Sequence, residues 1–343
     1  MQRVRNSIVL LIAVCFIALA LPGITMAQQG KVIELGYGTP YGVDHPFSVT
    51  DKKWMDKIEK ETNGRVKFKP YWGGAVIGGR DAVEELTQGA IDIAFINPTV
   101  SKSGFQITKT MYLFFYGVDD LNVGAKVFKE LLVKFPEIEK EYKGMKVLCW
   151  GGSMNQLVMR KPVRKIDDLK GMRIKVVGDI SNALKELGVE GMSISNAEVY
   201  VGLQKGILDG LIAPVESIES LKFAEVAKYV TMINFYRAHS GMRMMNLDKF
   251  NSLPPDIKKI FENSIEWYGQ ETEAEFNRTC DHAMASGKKL GVEFIPISKQ
   301  EMTKFYAPIQ AMALKEAQGL DAKGFAGTKI LNEAQRLIKL YSK

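Results

Sequence analysis

Aromatic and polar side chains recur just after the predicted β-strands, at positions that suit the binding of a small molecule. In an open α/β sheet, the loops at the carboxyl ends of the strands line the ligand crevice. The residues of this kind are Tyr41, Asp44, His45, Asn97, Trp150, Met154, Asn196, Tyr200, Tyr236 and His239. Lys175 adds a cation on a short strand-like run, two residues after Arg173. A cation among aromatic rings fits a small organic anion with an apolar or aromatic body.

Several of these residues also have ordinary structural interpretations, which the sequence leaves open. Lys175 also fits a solvated position at a strand edge, and Trp150 fits plain core packing. His45 also fits a loop role, because a proline follows it directly. Glu198 fits the capping of a helix start and Asp209 fits a turn, so neither is assigned to the ligand.

The residue types needed for catalysis are sparse. The chain has three histidines, His45, His239 and His282, and no Gly-x-Ser-x-Gly elbow. A serine or cysteine nucleophile needs a base within hydrogen-bond reach, and no histidine stands in metal-ligand spacing with another histidine or cysteine. The sequence therefore disfavours a secreted α/β enzyme and predicts neither a metal nor a cofactor.

The first 27 residues have the pattern of an export signal. Arg3 and Arg5 precede an apolar run over residues 8–21, and Thr25-Met26-Ala27 resembles a small-x-Ala cleavage site. The alternative is a membrane anchor, but a spanning helix needs about 20 apolar residues. We therefore expect residues 1–27 to be a cleaved signal peptide, which places the mature protein in the periplasm.

Length and composition limit the number of domains and the kinds of partner that the mature chain could have. Its length suits two domains better than one core. Removing two arginines and no acidic residue lowers the formal charge from +7 to +5, which favours an anionic ligand or an acidic partner. No dense block of lysine and arginine with interleaved aromatic residues appears, so no nucleic-acid partner is expected. Cys149 and Cys280 form either one bridge or two separate buried thiols.

The hydrophobic pattern indicates strands that alternate with helices. Strands are predicted over residues 32–38, 65–71, 91–96, 147–150 and 172–177, and helices over 47–61, 81–88, 180–187 and 197–205. A much longer helical pattern opens at Pro254-Pro255 and runs to about Leu290. This alternation predicts an α/β protein with parallel sheets.

Three motifs occur in one order along the chain. They are Glu-Leu-Thr-Gln-Gly-Ala-Ile-Asp at 85–92, Asp-Leu-Lys-Gly at 168–171, and Ser-Asn-Ala-Glu-Val-Tyr-Val-Gly-Leu-Gln-Lys-Gly-Ile-Leu-Asp-Gly at 195–210. Together they resemble the solute-binding proteins of tripartite ATP-independent periplasmic (TRAP) transporters, the DctP family. The resemblance extends over nearly all of the mature chain.

The resemblance implies a two-lobed periplasmic-binding-protein architecture with a hinge and a long helix that spans both lobes. The expected division is 28–153 with 240–281 for lobe 1, and 154–239 with 282–343 for lobe 2. It also implies a monomeric receptor that captures a small organic anion, a carboxylate above all, between the lobes. The receptor would deliver this ligand to the small and large membrane subunits of a TRAP permease.

The chain departs from the family where the ligand would be held. Lys175 stands where the family normally has an arginine that grips the carboxylate. Asn155 stands about where the sialic-acid branch has a second arginine, and Ala213 about where that branch has an asparagine. An ammonium is a hydrated point charge and lacks the planar fork of a guanidinium. The full set of expected ligand-binding residues is Lys175, Asn155, Trp150, Tyr41, His45, Asn97, Asn196, Tyr200, Ala213 and Tyr236.

Two other functions stay open on the sequence alone. A periplasmic sensor that presents its closed form to a signalling receptor would carry the same features as a transport receptor. A secreted α/β enzyme is the second alternative, and the shortage of catalytic residue types counts against it.

Overall fold

A computed structural model describes residues 31–342 except 78, 103, 177–179, 193 and 195. The side chains of Asn196, Ala197, His239 and Ser240 are outside this description, as is the predicted signal peptide, residues 1–27. Among the described residues, no helix has both the length and the apolar character needed to cross a bilayer.

The described part of the chain is a mixed α/β fold. The strands are β1 (Ile33–Gly38), β2 (Val66–Tyr71), β3 (Ile93–Ile96), β4 (Met145–Met159), β5 (Arg173–Lys175), β6 (Glu190–Met192), β7 (Gly210–Pro214), β8 (Tyr229–Asn246) and β9 (Glu293–Pro296). The helices are α1 (Pro46–Glu61), α2 (Ala82–Thr87), α3 (Gln106–Met111), α4 (Leu121–Lys134), α5 (Pro136–Glu139), α6 (Ile180–Lys185), α7 (Asn196–Gln204), α8 (Ser217–Ser220), α9 (Leu247–Ser252), α10 (Pro255–Lys289), α11 (Lys299–Asp321) and α12 (Gly327–Tyr341).

Two long strands, β4 and β8, run through both halves of the sheet. In the first lobe the strand order is β2-β1-β3-β8-β4, and in the second it is β9-β8-β4-β7-β5-β6. The predicted strand at 147–150 is therefore only the first part of β4, which continues across into the second lobe.

The strands cross between the lobes at a point rich in glycine. Gly151 pairs with Gly241 and Ser153 pairs with Arg237, so that Gly152 alone lies opposite residues 238–240 of β8. A β-carbon on Gly152 would lie 2.8 Å from the carbonyl oxygen of Arg237. The close approach of the two backbones thus requires glycine, and the bulge interrupts the ladder where a hinge is expected.

Helix α10 spans both lobes, which confirms the prediction from the sequence. Its 35 residues extend over about 50 Å at 1.5 Å per residue. Phe261 and Tyr268 pack into the core of the first lobe, whereas Ala283 packs into the core of the second. Between them, Phe276 contacts the ring of Phe47 at 4.9 Å between centroids.

The C-terminal helices contact elements that precede and follow the crossing. Helix α11 packs against α3 and the 3₁₀ turn Tyr112–Phe115, and also against α6. Helix α12 packs on α4 and α11. The division into 28–153 with 240–281 and 154–239 with 282–343 therefore stays a prediction. Cys149 and Cys280 are both free thiols.

Candidate functional site

The carboxyl ends of the parallel strands in both lobes point toward the crossing. Strand β7 is antiparallel to β4, as is β8, so β7 and the first part of β8 run together toward the crossing. Strands β5 and β6 run parallel to β7. In the first lobe β3 is antiparallel to the second part of β8, and β1 and β2 run with β3. The two carboxyl edges therefore border one cleft, the usual ligand position in open α/β sheets.

The first lobe contributes an aromatic surface to this cleft. The rings of Tyr41 and His45 are stacked, with 3.9 Å between centroids and 19° between planes. Tyr41 also meets Phe95 edge-on at 5.0 Å, and Phe47 lies beside both. We call Tyr41, His45, Phe47 and Phe95 the aromatic shelf. Phe47 and Phe95 are buried, whereas Tyr41 and His45 are partly exposed and offer a face that suits the apolar body of a ligand.

The hydrogen bond at the start of α1 fixes the tautomer of His45. The backbone N–H of Phe47 donates to Nδ1 of His45 at 3.2 Å, so His45 caps the helix that the sequence predicted. Burial and the nearby charge of Arg243 lower the pKa of His45 to about 4. The ring is therefore neutral at pH 7, and its remaining proton is on Nε2, where it serves as a hydrogen-bond donor.

Lys175 ends β5 at the cleft edge of the second lobe and is half-buried. Burial lowers the pKa of Lys175, and the positive charge of Arg237 lowers it further. Arg173, two residues earlier, is already paired: its Nε donates to Asp209 Oδ2 at 3.0 Å and its Nη2 to the carbonyl of Gly206 at 2.7 Å. Arg173 therefore has a structural role at the rim of the cleft, whereas Lys175 lies at the cleft edge itself.

Arg237 is a second cation at this edge, and it was missing from the set expected from sequence. It ends the second-lobe part of β8 and pairs with Ser153 across the ladder. Its Nε is buried and has no hydrogen-bond partner among the described residues. Its guanidinium lies 5.7 Å from the ring of Tyr112. The charge of Arg237 also acts on the pKa of Tyr41, which connects the two sides of the cleft.

Arg243 offers a direct contrast on the same strand. Its side chain is fully buried, and its Nε donates to Asp51 at 2.7 Å. A buried cation that is already paired with a carboxylate of the protein has a structural role and is not free to hold a ligand. Arg237 shows no such ion pair with a carboxylate in the described part of the chain. The signal available in the sequence was a lone arginine within the apolar strand pattern around residue 237.

Asn155 lies on β4 next to Arg237 and is fully buried. Its Nδ2 donates to the carbonyl of Ser153 at 3.1 Å and to the carbonyl of Phe235 at 3.4 Å. Its Oδ1 has no hydrogen-bond partner among the described residues. Ala213 on β7 lies opposite Gln156 and packs into the core beneath α7 and α8. The structure therefore brings Asn155, and not Ala213, onto the side of the ladder that carries Arg237.

Trp150 and Tyr236 contact α4 and form part of the hydrophobic core. The ring of Trp150 meets Phe128 at 5.2 Å, and Tyr236 lies against Gly124. Trp150 also lines a groove of about 780 Å³ between α4 and α10. The Tyr236 hydroxyl also lies at the crossing, where a β-carbon on Gly152 would meet it at 2.6 Å, and a role for either residue in ligand binding stays a prediction.

The remaining expected residues make local contacts. Asn97 follows β3 and caps the turn Pro98–Val100, where its Oδ1 accepts from the backbone N–H of Thr99 at 3.1 Å. Tyr200 on α7 donates its hydroxyl to the carboxylate of Glu225. The Asn196 side chain lies outside the described residues.

An acidic side chain, that of Glu216, also acts on the pKa of Tyr41 at the cleft. Glu216 is buried between β7 and α8, and its Oε2 accepts from the Ser220 hydroxyl at 2.6 Å. Burial raises its pKa, so the neutral form is favoured more than in water. Across residues 31–342 with the gaps given above, no group of three or more metal-ligating side chains lies close enough to hold a metal ion.

Known proteins share this fold and its sequence pattern. The profile of the family described as "Bacterial extracellular solute-binding protein, family 7" (DctP) matches residues 41–318. The uncharacterised protein YiiZ of Salmonella typhimurium is 27% identical over 267 residues, 74% of this chain and 79% of that protein. The solved TRAP periplasmic solute-binding protein of Desulfovibrio salexigens superposes with a TM-score of 0.80 at 25% identity, over 90% of this chain and 96% of that one.

A further solved structure is the TRAP solute-binding protein of Rhodoferax ferrireducens in complex with copurified benzoate. It superposes with a TM-score of 0.78 at 21% identity, over 91% of this chain and 99% of that one. The matched profile extends over most of the chain, and the fold agrees. The protein belongs to the DctP family, the bacterial extracellular solute-binding proteins of family 7.

Proposed function

We propose that the protein is the solute receptor of a TRAP transporter and that it captures a small organic carboxylate between its lobes. The observation that carries this proposal is the pair of cations, Lys175 and Arg237, at the second-lobe edge, opposite the aromatic shelf of the first lobe. Bringing two positive charges together in a partly buried site is unfavourable, and a carboxylate between them relieves the repulsion.

The arrangement also supplies a reason for closure. The carboxylate would contact Lys175 and Arg237 of the second lobe, while the body of the ligand would lie on Tyr41 and His45 of the first. A ligand shifts a conformational equilibrium only by binding the two states unequally. A ligand that needs both edges binds the closed form more tightly, and bending at the Gly152 crossing would accommodate the movement.

The same proposal covers location and partners. Residues 1–27 would direct export and be removed, leaving the mature receptor in the periplasm. The closed receptor would act as a monomer and deliver its ligand to the small and large membrane subunits of the permease. Support for the ligand class comes from the benzoate bound to the Rhodoferax ferrireducens relative, which is itself a carboxylate.

Matched ligands test the ligand class directly. The mature protein is screened by thermal shift against small carboxylates, each paired with its neutral amide, and against sulfonates, sugars and polyols. A ligand that binds the native state raises the melting temperature by mass action. Carboxylates alone are expected to raise it, and calorimetry then gives their affinities. A receptor that responds equally to benzoate and benzamide, or only to sugars, would contradict the proposal.

A further inference from the structure

The strands of the second lobe have a second edge, at the end that lies away from the cleft. Strands β5, β6, β7, β8 and β9 begin at this end, and β4 ends there because it is antiparallel to β7 and β8. Five segments of the chain form this edge: residues 160–173, 185–190, 205–209, 222–228 and 288–293. We call these five segments the basic edge.

Hydrogen bonds join the segments of the basic edge into one surface. The backbone N–H of Arg160 donates to the carbonyl of Asp209 at 2.9 Å. The Nζ of Lys228 donates to the carbonyl of Leu290 at 3.0 Å. The six strand ends lie side by side in the order β9-β8-β4-β7-β5-β6, and at about 4.8 Å per strand they make a surface about 25 Å wide.

The net charge of the mature chain is concentrated at the basic edge. Its five segments hold 12 lysine and arginine residues and 7 aspartate and glutamate residues. This excess of five positive charges equals the formal charge of residues 28–343, so the positive and negative charges of the remaining residues balance. The positive charge therefore creates a field at one end of the molecule.

Several carboxylates of the basic edge are already occupied. Arg164 pairs with Glu293 at 2.8 Å, and Arg173 pairs with Asp209 at 3.0 Å. Asp168 accepts from the backbone N–H of Arg164 at 2.9 Å. Six exposed lysines form no ion pair with a carboxylate in the described part of the chain: Lys161, Lys165, Lys170, Lys205, Lys288 and Lys289. These lysines are available to an anionic partner.

Two large apolar side chains are exposed among these lysines. Ile207 follows Lys205 in the turn before β7 and is 50% exposed, and Leu290 follows Lys289 at the end of α10 and is 54% exposed. Strands β9 and β7 are three places apart in the sheet, so the two side chains are about 15 Å apart. Lysines with interspersed apolar side chains are typical of surfaces that bind to a bilayer interface.

The chemistry of the basic edge favours a membrane over a small anion or a fixed protein partner. A site for a small anion holds it with buried donors, and no unsatisfied buried donor is found at this edge within the described ranges. The free cations are lysines, which carry a point charge on a flexible stem and lack the planar fork that suits one fixed carboxylate. Such side chains adapt to many mobile headgroups and attract an anionic bilayer collectively.

We propose that the basic edge binds the surface of a membrane rich in anionic phospholipids, with its lysines at the headgroups and Ile207 and Leu290 at the interface. The cleft lies at the other end of the same strands, so it stays open to solvent while the protein is on the membrane. The contact needs no ligand in the cleft and is therefore independent of carboxylate binding. It holds the receptor close to the bilayer in which its permease would lie.

Vesicle sedimentation tests this contact on the mature protein without a cleft ligand. Vesicles of phosphatidylglycerol and phosphatidylcholine in equal parts are compared with vesicles of phosphatidylcholine alone. At low ionic strength, binding to the anionic vesicles is expected to be at least about tenfold tighter. Binding should be lost at about 1 M salt, where the Debye length is about 3 Å. Soluble glycerol phosphate should not compete, and competition would indicate a small-anion site and overturn the membrane contact.

Two charge-reversal variants with the same net charge locate the contact. The first combines Lys161→Glu, Lys165→Glu and Lys289→Glu, and should bind anionic vesicles at least about tenfold more weakly than the parent protein. The control combines Lys140→Glu, Lys143→Glu and Lys259→Glu, three exposed lysines of the first lobe, and should retain most of the binding. An equal loss in the control would show that net charge alone drives binding, and would overturn the assignment to the basic edge.

A third variant separates the apolar contribution from the charge. Ile207→Ser with Leu290→Ser leaves every lysine in place and should weaken binding to anionic vesicles at least about threefold, because two apolar side chains no longer enter the interface. Circular dichroism confirms that each variant is folded. Unchanged binding of this variant would exclude the two side chains from the interface and favour an acidic protein as the partner. Failure of the parent protein to bind anionic vesicles would overturn the proposal and leave the carboxylate receptor unaffected.

Discussion

The guanidinium of Arg243 donates two hydrogen bonds to the carboxylate of Asp51, from Nε at 2.7 Å and from Nη2 at 3.0 Å. Both side chains are fully buried. Asp51 also accepts from the hydroxyls of Tyr37 and Tyr268, the latter at 2.8 Å. The Nη1 of Arg243 donates to the carbonyl of Gly241 at 2.9 Å. This network joins β1, α1 and α10 to the strand crossing, directly beneath the aromatic shelf.

Removing one member of this ion pair should destabilise the protein severely. Asp51→Ala leaves the Arg243 charge buried without its counter-charge, and such losses cost about 3–5 kcal/mol. Urea unfolding of the variant measures the change in free energy. The double variant Asp51→Ala with Arg243→Leu removes both charges and should recover part of the loss. A single variant within about 1 kcal/mol of the parent protein, or a double variant worse than both singles combined, would contradict this account.

Loss of the Lys175 charge should weaken binding without unfolding the protein. Lys175→Ala is expected to lower carboxylate affinity at least about tenfold, or about 1.4 kcal/mol, by calorimetry. Lys175→Arg tests whether charge alone or fork geometry matters. Arg173→Ala is the matched control on the same strand: it breaks the bond to Asp209 and should lower stability but leave affinity unchanged. Unchanged affinity in Lys175→Ala would remove this lysine from the site.

Replacing Arg237 should weaken ligand binding strongly and change the stability of the protein little. Arg237→Ala is expected to reduce carboxylate affinity by at least about tenfold. The variant removes a buried Nε donor that lacks a partner but also the contact with Tyr112, so its melting temperature in the absence of ligand should change little. A fall in melting temperature together with normal binding would show that Arg237 is structural, as Arg243 is.

His45 should make the stability depend on pH in the acid range. Its pKa is lowered from the ordinary 6.5 to about 4 by burial and by Arg243. Between these values the unfolded chain binds more protons than the native protein, so stability is complete above pH 6.5 and declines as pH falls toward 4. The decline is at most about 3 kcal/mol. In His45→Gln, urea unfolding should show a smaller loss between pH 7 and pH 5; an equal loss would exclude His45 as a source.

Two helical glycines should respond oppositely to the same substitution. In α10, a β-carbon on Gly269 meets nothing within 4 Å, so Gly269→Ala should stabilise by about 0.5–1 kcal/mol through helix propensity. In α4, a β-carbon on Gly124 would lie 2.1 Å from Cζ of Tyr236. Gly124→Ala should therefore destabilise by about 1–3 kcal/mol through overpacking. Thermal unfolding of both variants compares them, and a shift of the same sign would contradict the packing account.

The long elements of the fold were predictable because they depend on local signals. Helix α10 begins at Pro255 and ends at Lys289, within a residue of the prediction, since prolines and an unbroken helical pattern define it. The length of β4 and β8 was not predicted. Both strands pass from one lobe into the other, and only the partner strands, distant in sequence, determine where a strand continues.

The candidate site was predictable only in part, for a related reason. Tyr41, His45 and Lys175 stand at strand ends, which the alternation of strands and helices locates. Trp150 and Tyr236 also stand near the crossing, but the side of the sheet that they face depends on the bulge at Gly152. Whether an arginine is structural depends on a distant carboxylate, so Arg237 and Arg243 look alike in the sequence.

The buried ion pair has a consequence for the order in which the protein is built. Asp51 and Arg243 are 192 residues apart, and the strands β5, β6 and β7 are made between them. The core of the first lobe therefore cannot form until β8 and α10 have been synthesised. Most of the strands in the sheet of the second lobe, in contrast, come from one continuous stretch of chain. Contacts between distant residues form late because loop closure must precede them. The lobe that is synthesised first is the lobe we expect to finish folding last.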